Sequence, residues 1–276
     1  ELIKAGIRRI RHGLGKPYDD GIKCELMSRL IARSDTEEIF LKYLKEHVVL
    51  PELRKELIKR LIDKKDYSGA LQIAREGCEI YKNNNIMIPC WKELVLQILV
   101  LEKDVKNIIT AAKELFLMPN FSSDHKKYYD ILKEYVPVTE WNEFVDGLIE
   151  KLVPPDYDYF LYNLCKWENR KSVMLDVVRR YKDARSVREA EADLYGEYPA
   201  ELADCYVHVL RGQMKTNNNR KQYRAACFYI RHIIKLDYPE KAAALVEEFR
   251  RPYPLRTALM EELDSCVKGT FASMHL

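Results

Sequence analysis

Residues 218–242 read NNRKQYRAACFYIRHIIKLDYPEKA, and the spacing of their apolar side chains decides which fold to expect. The apolar positions follow the three- and four-residue steps of one helix face: Tyr223, Ala226, Cys227, Ile230, Ile233 and Ile234. Pro239 suits the first turn of a following helix, where its missing N–H costs nothing. The stretch therefore predicts one helix that ends near Asp237 and a second that begins near Pro239.

The same periodicity occurs in three earlier stretches that turn residues separate. These are DYSGALQIAREGCEIY (66–81), DVKNIITAAKELFL (104–117) and TEWNEFVDGLIEKL (139–152). Their starts are roughly as far apart as the helix-pair repeats of α-solenoids, which are about 34 to 40 residues long. We find no convincing alternating strand pattern. We predict an all-α fold over residues 1–276: a single domain, shaped as a right-handed α-α superhelix or TPR-like solenoid of antiparallel helix pairs.

The composition is typical of a helical globular protein, and the net charge bears on whether nucleic acid is a partner. The 276 residues include only 10 Gly and 11 Pro, with 47% hydrophobic and 32% charged residues. The chain contains 46 Lys and Arg residues and 43 Asp and Glu residues, so its formal net charge is +3. Strong nucleic-acid binding through net charge is therefore not expected, although a local basic patch remains compatible with this balance.

The cysteines indicate a reducing compartment. They are widely spaced and odd in number: Cys24, Cys78, Cys90, Cys165, Cys205, Cys227 and Cys266. Most lie in apolar helical patterns, so we predict that all seven are thiols in the native protein. We find no signal peptide and no apolar run of about 18 residues that would span a membrane. We expect a cytoplasmic protein without a membrane partner.

The order of several segments resembles the C-terminal helical half of bacterial SWIM zinc finger proteins. The resemblance is carried by DYSGALQIAREGCEI (66–80), DVKNIITAAKELFL (104–117), YYDILKEYVPVTEWNEFVDGL (128–148), EYPAELADCYVHVL (197–210), NRKQYRAACFYIRHIIKL (219–236) and FRRPYPLRTALMEEL (249–263). It implies a TPR-like half that follows a zinc finger with DNA- or protein-binding character. The Cys-x-Cys and Cys-x-His pairs of that finger do not occur here. Because the chain begins at Glu1, we expect a fragment whose zinc finger precedes residue 1.

One Cys/His group is a candidate metal site: Cys205, His208, Cys227 and His232. Structural zinc takes four such ligands in a tetrahedron. Cys227 and His232 are five residues apart and point about 140° away from each other around a helix. We therefore expect buried cysteines, surface histidines, and no metal or other cofactor in this chain.

Other motifs carry no convincing chemistry. GLGKPYDDG (13–21) lacks the preceding strand of a phosphate loop. PPDYDYF (154–160) places Asp156 and Asp158 at a helix start, where carboxylates favour the helix dipole without catalysis. Neither G-x-S-x-G nor H-E-x-x-H occurs. We predict no catalytic residues and no enzymatic activity, and leave a scattered active site open as an alternative.

The polar side of the helix in 218–242 is the candidate binding site. Arg220, Arg224, Arg231 and Lys235 fall within about 60° of arc, and Phe228 lies just past its edge. Arg250, Arg251 and Arg256 would add cations if the following helices fold back beside it. We call Arg220, Arg224, Phe228, Arg231 and Lys235 the ridge. The ridge is either a solvated face or a cationic groove for an acidic peptide or a phosphate backbone.

The sequence thus favours a non-catalytic helical-repeat scaffold that binds a protein partner and lies C-terminal to a zinc-binding module. A nucleic-acid accessory module that uses the basic ridge is the first alternative, and an enzyme with an unrecognised site is the second. Salt dependence separates the first two, because phosphate contacts release counterions.

Overall fold

The computed structural model describes residues 37–46, 48, 50–118, 125–154 and 157–271. Within these ranges the chain forms fourteen α-helices and no strand, which confirms the all-α prediction. The first seven helices are α1 (Glu37–Glu46), α2 (Pro51–Asp63), α3 (Tyr67–Ile80), α4 (Met87–Glu102), α5 (Val105–Phe116), α6 (His125–Tyr135) and α7 (Trp141–Leu152). The others are α8 (Asp158–Trp167), α9 (Lys171–Val178), α10 (Ala184–Leu194), α11 (Pro199–Met214), α12 (Arg220–Lys235), α13 (Pro239–Arg250) and α14 (Thr257–Phe271).

Local signals set many helix boundaries. Four N-cap side chains accept a hydrogen bond from the backbone N–H three residues later: Asp66, Asp104, Asp183 and Asn219. Proline is the first residue of three helices, at Pro51, Pro199 and Pro239. A residue with positive φ follows four helices and stops their hydrogen-bond ladder: Lys65, Lys103, Asn169 and Asp237. At Lys65 and Lys103 the next residue already caps the following helix, so these connections are very short.

The chain divides into two compact units, Glu1–Phe144 and Val145–Leu276. The prediction of a single domain, like that of a right-handed superhelix, stays a prediction. None of the described helices has the combination of length and apolar character needed to cross a membrane.

In the first unit, consecutive helices from α1 to α6 pack against each other. Among its described residues, the largest fully buried side chain is that of Trp91 of α4, which is 0% exposed. A Cβ atom on Gly77 of α3 would lie 2.6 Å from Cε3 of the Trp91 ring, so this approach of α3 to α4 requires glycine. The Tyr81 ring stacks on the same indole at 5.9 Å between centroids. The Gly77–Trp91 contact therefore fixes the distance between these two helices.

In the second unit, consecutive helices from α8 to α14 pack together, and two pairs of alternate helices also touch. These pairs are α11 with α13 and α12 with α14. As a result, α12 has neighbours on both sides, and this position defines the surroundings of the predicted ridge.

Candidate functional site

The predicted ridge lies on α12, whose start is fixed by two side chains. Asn219 accepts a hydrogen bond from the Gln222 backbone N–H at 3.1 Å, and Gln222 Oε1 accepts one from the Asn218 N–H at 2.9 Å. The buried side of the helix consists of Tyr223, Ala226, Cys227, Ile230, His232 and Ile233. Five of these six residues belong to the apolar stripe expected from the sequence, and His232 is the exception. Arg220, Arg224, Phe228 and Lys235 are exposed on the other side of the helix, and Arg231 is half-buried.

The first half of the ridge is paired with carboxylates of α14. Arg220 forms an ion pair with Glu261, and its Nε lies 3.9 Å from Glu262 Oε1. Arg224 Nη2 lies 3.2 Å from the same Glu262 oxygen. The Glu262 side chain is only 14% exposed, so this carboxylate is held against the protein. Arg220 and Arg224 therefore link α12 to α14, and their charges are largely neutralised.

The following segment does not extend the ridge in the way that the sequence suggested. Arg250 Nη2 pairs with Asp264 at 2.5 Å, and Arg256 Nη1 donates a hydrogen bond to the Asn217 carbonyl at 3.0 Å. Arg251 is exposed. Two of these three guanidinium groups are thus engaged in fixing the chain around α13 and α14.

The second half of the ridge is open and gains a residue from another helix. Phe228 is 39% exposed, and the Arg188 guanidinium of α10 lies 5.0 Å from the centroid of its ring. Arg231 is half-buried and Lys235 is exposed. Within the described part of the chain, Arg188, Arg231 and Lys235 form no ion pair. We call these four residues, Arg188, Phe228, Arg231 and Lys235, the Phe228 surface.

A buried polar network supports the Phe228 surface from below. Glu191 Oε2 of α10 accepts a hydrogen bond from Tyr206 Oη of α11 at 2.7 Å and lies 3.1 Å from His232 Nδ1 of α12. Tyr206 is 0% exposed and His232 is 7% exposed. The Phe228 ring lies 5.0 Å from the His232 ring. One carboxylate therefore joins three helices directly beneath the exposed aromatic ring.

Burial determines the titration of this network. Burial, and then the hydrogen bond to Glu191, raise the pKa of Tyr206, so its hydroxyl stays a donor. Burial lowers the pKa of His232 below its ordinary value, and the Glu191 carboxylate offsets only part of that effect. Lys235 and Arg188 lower the pKa of His232 further. His232 is consequently neutral at neutral pH.

We expect the free energy of unfolding to fall as the pH drops below about 6.5, the ordinary pKa of histidine. In that range the unfolded chain binds a proton at His232 that the folded protein resists, so protonation favours unfolding. Urea unfolding at pH 7.5 and 5.5 would measure this for the parent and for His232→Gln. The parent should lose more stability between the two pH values than the variant. Equal losses would show that His232 does not contribute.

Sequence reasoning found Phe228, Arg231 and Lys235 but missed Arg188, Glu191 and Tyr206. The three missed residues lie on α10 and α11, and periodicity gave no sign that these helices flank α12. The expectation of a surface His232 is wrong, because its ring is buried beside Glu191. A histidine next to the apolar stripe in a charged helix was the one available signal of a buried polar contact.

The other candidate motifs lie partly within the described residues, where their side chains make ordinary structural contacts. Among the described residues, no three His, Cys, Asp or Glu side chains are grouped so that they could hold a metal ion. Asp158, in the first turn of α8, pairs with Arg180 at 2.5 Å. Arg180 also donates to the Val153 carbonyl at 2.9 Å. Residues 13–21 and Asp156 lie outside the described residues.

The Phe228 surface thus combines an exposed aromatic ring, a cation from α10 against that ring and two further cations of α12, above a buried polar network. No family model matches this chain, and no curated protein was found to match it.

Proposed function

We propose that this chain is a non-catalytic helical-repeat scaffold and that a protein partner docks on the Phe228 surface. The observation that carries the proposal is the combination of the half-exposed Phe228 ring with three cations that form no ion pair among the described residues. A family resemblance to SWIM zinc finger proteins adds the expectation that the scaffold serves an attached zinc-binding module.

The aromatic ring supplies the apolar part of such a contact. Phe228 keeps 39% of its surface in water, although Arg188, Tyr229 and His232 pack around it. A partner side chain that covers the ring would remove this area from water, at about 25 cal/mol for each Å². Rigid aromatic anchors of this kind are typical of interface hot spots.

The support beneath the ring favours a preorganised site. His232 and Tyr206 are fixed by their shared acceptor Glu191, so the floor under Phe228 does not need to be ordered when a partner binds. Such preorganisation reduces the entropy that is lost on association.

The charges select an acidic partner. Arg188 lies against the ring, and Arg231 and Lys235 follow Phe228 on the same helix. Guanidinium groups bind carboxylates with two parallel hydrogen bonds. We infer a peptide segment in which Asp or Glu residues lie next to a large apolar side chain. Complementary charge of this type raises the association rate and excludes basic segments.

The pairing of Arg220 and Arg224 favours a peptide over nucleic acid. A phosphate backbone presents regularly spaced charges and is bound by a continued row of cations. Here Glu261 and Glu262 neutralise the first half of the ridge and leave a short basic patch around one aromatic ring.

Fluorescence anisotropy with defined probes would test the proposal. The first probe is a labelled peptide of alternating Asp and Phe, the second is the same peptide with Lys in place of Asp, and the third is a double-stranded DNA oligonucleotide. We expect the acidic peptide to bind and the basic peptide not to bind. Arg188→Glu combined with Lys235→Glu should weaken binding of the acidic peptide at least about tenfold, because like charges then oppose each other.

The matched control carries the same change of net charge on the first unit: Lys59→Glu with Lys106→Glu, both at exposed positions. This variant should bind like the parent. If both double variants bound the acidic peptide equally weakly, the loss of binding would come from net charge alone, and the proposal would be contradicted. Tighter binding of DNA, with a steep salt dependence that the Arg188/Lys235 variant removes, would favour the nucleic-acid alternative.

A further inference from the structure

Two cysteines meet between α12 and α14. Cys227 and Cys266 are each 1% exposed. The Cys266 thiol donates to the Cys227 carbonyl at 3.5 Å, and the Cys227 thiol donates to the Glu262 carbonyl at 3.4 Å. Each sulfur therefore contacts the backbone of the opposite helix, and both lie in the same narrow interface.

The other described cysteines have no such arrangement. Cys165 and Cys205 are buried on α8 and α11, and Cys78 is half-buried on α3. Cys90 is exposed, and its thiol bonds to the Ile86 carbonyl one turn earlier in the chain at 3.7 Å. The reciprocal contact across a helix interface thus distinguishes Cys227 and Cys266 from the remaining thiols.

The two thiols differ in reactivity. The interaction between the two thiols lowers the pKa of Cys266, which favours its thiolate although the site is buried. The same interaction, and then burial, raise the pKa of Cys227. Arg231 lies near both sulfurs and favours negative charge there. Of the two sulfurs, Cys266 is therefore the one at which a thiolate is favoured.

We propose that Cys227 and Cys266 form an oxidation site that a hydroperoxide converts into a disulfide between α12 and α14. The Cys266 thiolate attacks one oxygen of the peroxide, the O–O bond breaks, and the other oxygen leaves as hydroxide or alkoxide. The Cys227 sulfur then attacks the sulfenic acid, a sulfur–sulfur bond forms, and water leaves with the Cys227 proton. Two thiols lose two electrons in total, and the peroxide is reduced.

The disulfide would act on the α12–α14 interface. It would close a loop that contains all of α13, and this restricts the unfolded chain more than the folded one. Glu262, one turn before Cys266, holds Arg220 and Arg224. Oxidation would therefore lock the contact that neutralises the first half of the ridge. This inference does not depend on the proposed peptide binding.

Peptide mapping by mass spectrometry under non-reducing conditions would test the site on the whole chain after treatment with a small excess of hydrogen peroxide. We expect a cross-linked pair of peptides that contains Cys227 and Cys266, a higher Tm, and full reversal of both by dithiothreitol. In Cys227→Ser the cross-link should be absent, and Cys266 should accumulate as a sulfenic acid that dimedone traps.

Cys165→Ser is the matched control, since it removes a buried thiol outside the pair, and the cross-link should persist in it. The proposal is overturned if Cys266 stays reduced while Cys90 is oxidised. It is also overturned if Cys266 is found cross-linked to a different cysteine. Mapping of the unaltered protein decides between these outcomes even if a serine variant does not fold.

Discussion

Replacing Trp91 by alanine should lower the free energy of unfolding by about 3–5 kcal/mol, the range measured for truncation of large buried aromatic residues. The indole is 0% exposed and fills the space between α3 and α4 that Gly77 leaves open. A Cβ on Gly77 would lie 2.6 Å from the ring, so the two helices meet too closely for a neighbouring side chain to fill the cavity. Urea denaturation followed by circular dichroism would measure the loss.

Trp167→Ala provides the comparison, because the same side chain is removed from a half-buried position at the end of α8. Its effect should be clearly smaller. If the two variants were equally stable, the close packing of α3 on α4 would not contribute as the structure indicates. Since the chain contains two compact units, separate transitions should be fitted if the unfolding curve shows them.

Glu191→Ala should cost about 2–4 kcal/mol, because one substitution leaves two buried donors without their acceptor. Tyr206 Oη loses a bond of 2.7 Å, and His232 Nδ1 loses one of 3.1 Å. The network joins α10, α11 and α12, so its loss should destabilise the second unit rather than one helix. Glu191→Gln keeps an oxygen acceptor of the same size and should recover part of the stability.

Glu189→Ala is the control on the same helix. Glu189 pairs with Arg185 at 2.9 Å, but both side chains are largely exposed, and pairs of that kind contribute little. Thermal melts of the three variants would rank them with Glu191→Ala lowest. A Glu191→Ala protein as stable as Glu189→Ala would mean that water satisfies Tyr206 and His232, and that the network does not support the Phe228 surface.

Several helix boundaries could be predicted from local sequence patterns. The N-caps Asp66, Asp104 and Asn219 all stand at the starts of stretches that periodicity had already identified as helical. Capping depends on side chains within three residues of each other, so it can be read directly from the chain. The same holds for the apolar stripe of α12, since burial of one helix face follows from residue spacing alone.

Charge pairing between helices, unlike helix capping, cannot be read from local sequence. Arg220 and Arg224 looked equivalent to Arg231 and Lys235 on the helix surface, yet only the first two face carboxylates of α14. Glu262 follows Arg224 by 38 residues, and no periodicity relates positions across two intervening turns and a helix. Which cations are neutralised was therefore settled by the packing of α12 on α14.

The sequence by itself determined the helical class, many helix ends and the outward side of α12, because those depend on interactions between residues close together in the chain. Only the tertiary structure decided that Arg188 joins Phe228, that Glu191 binds both Tyr206 and His232, and that Cys227 meets Cys266. Each of these contacts joins residues on different helices. Apolar faces bring helices together without specifying which polar side chains meet, since hydrophobic attraction is non-directional and hydrogen bonds depend on the final geometry.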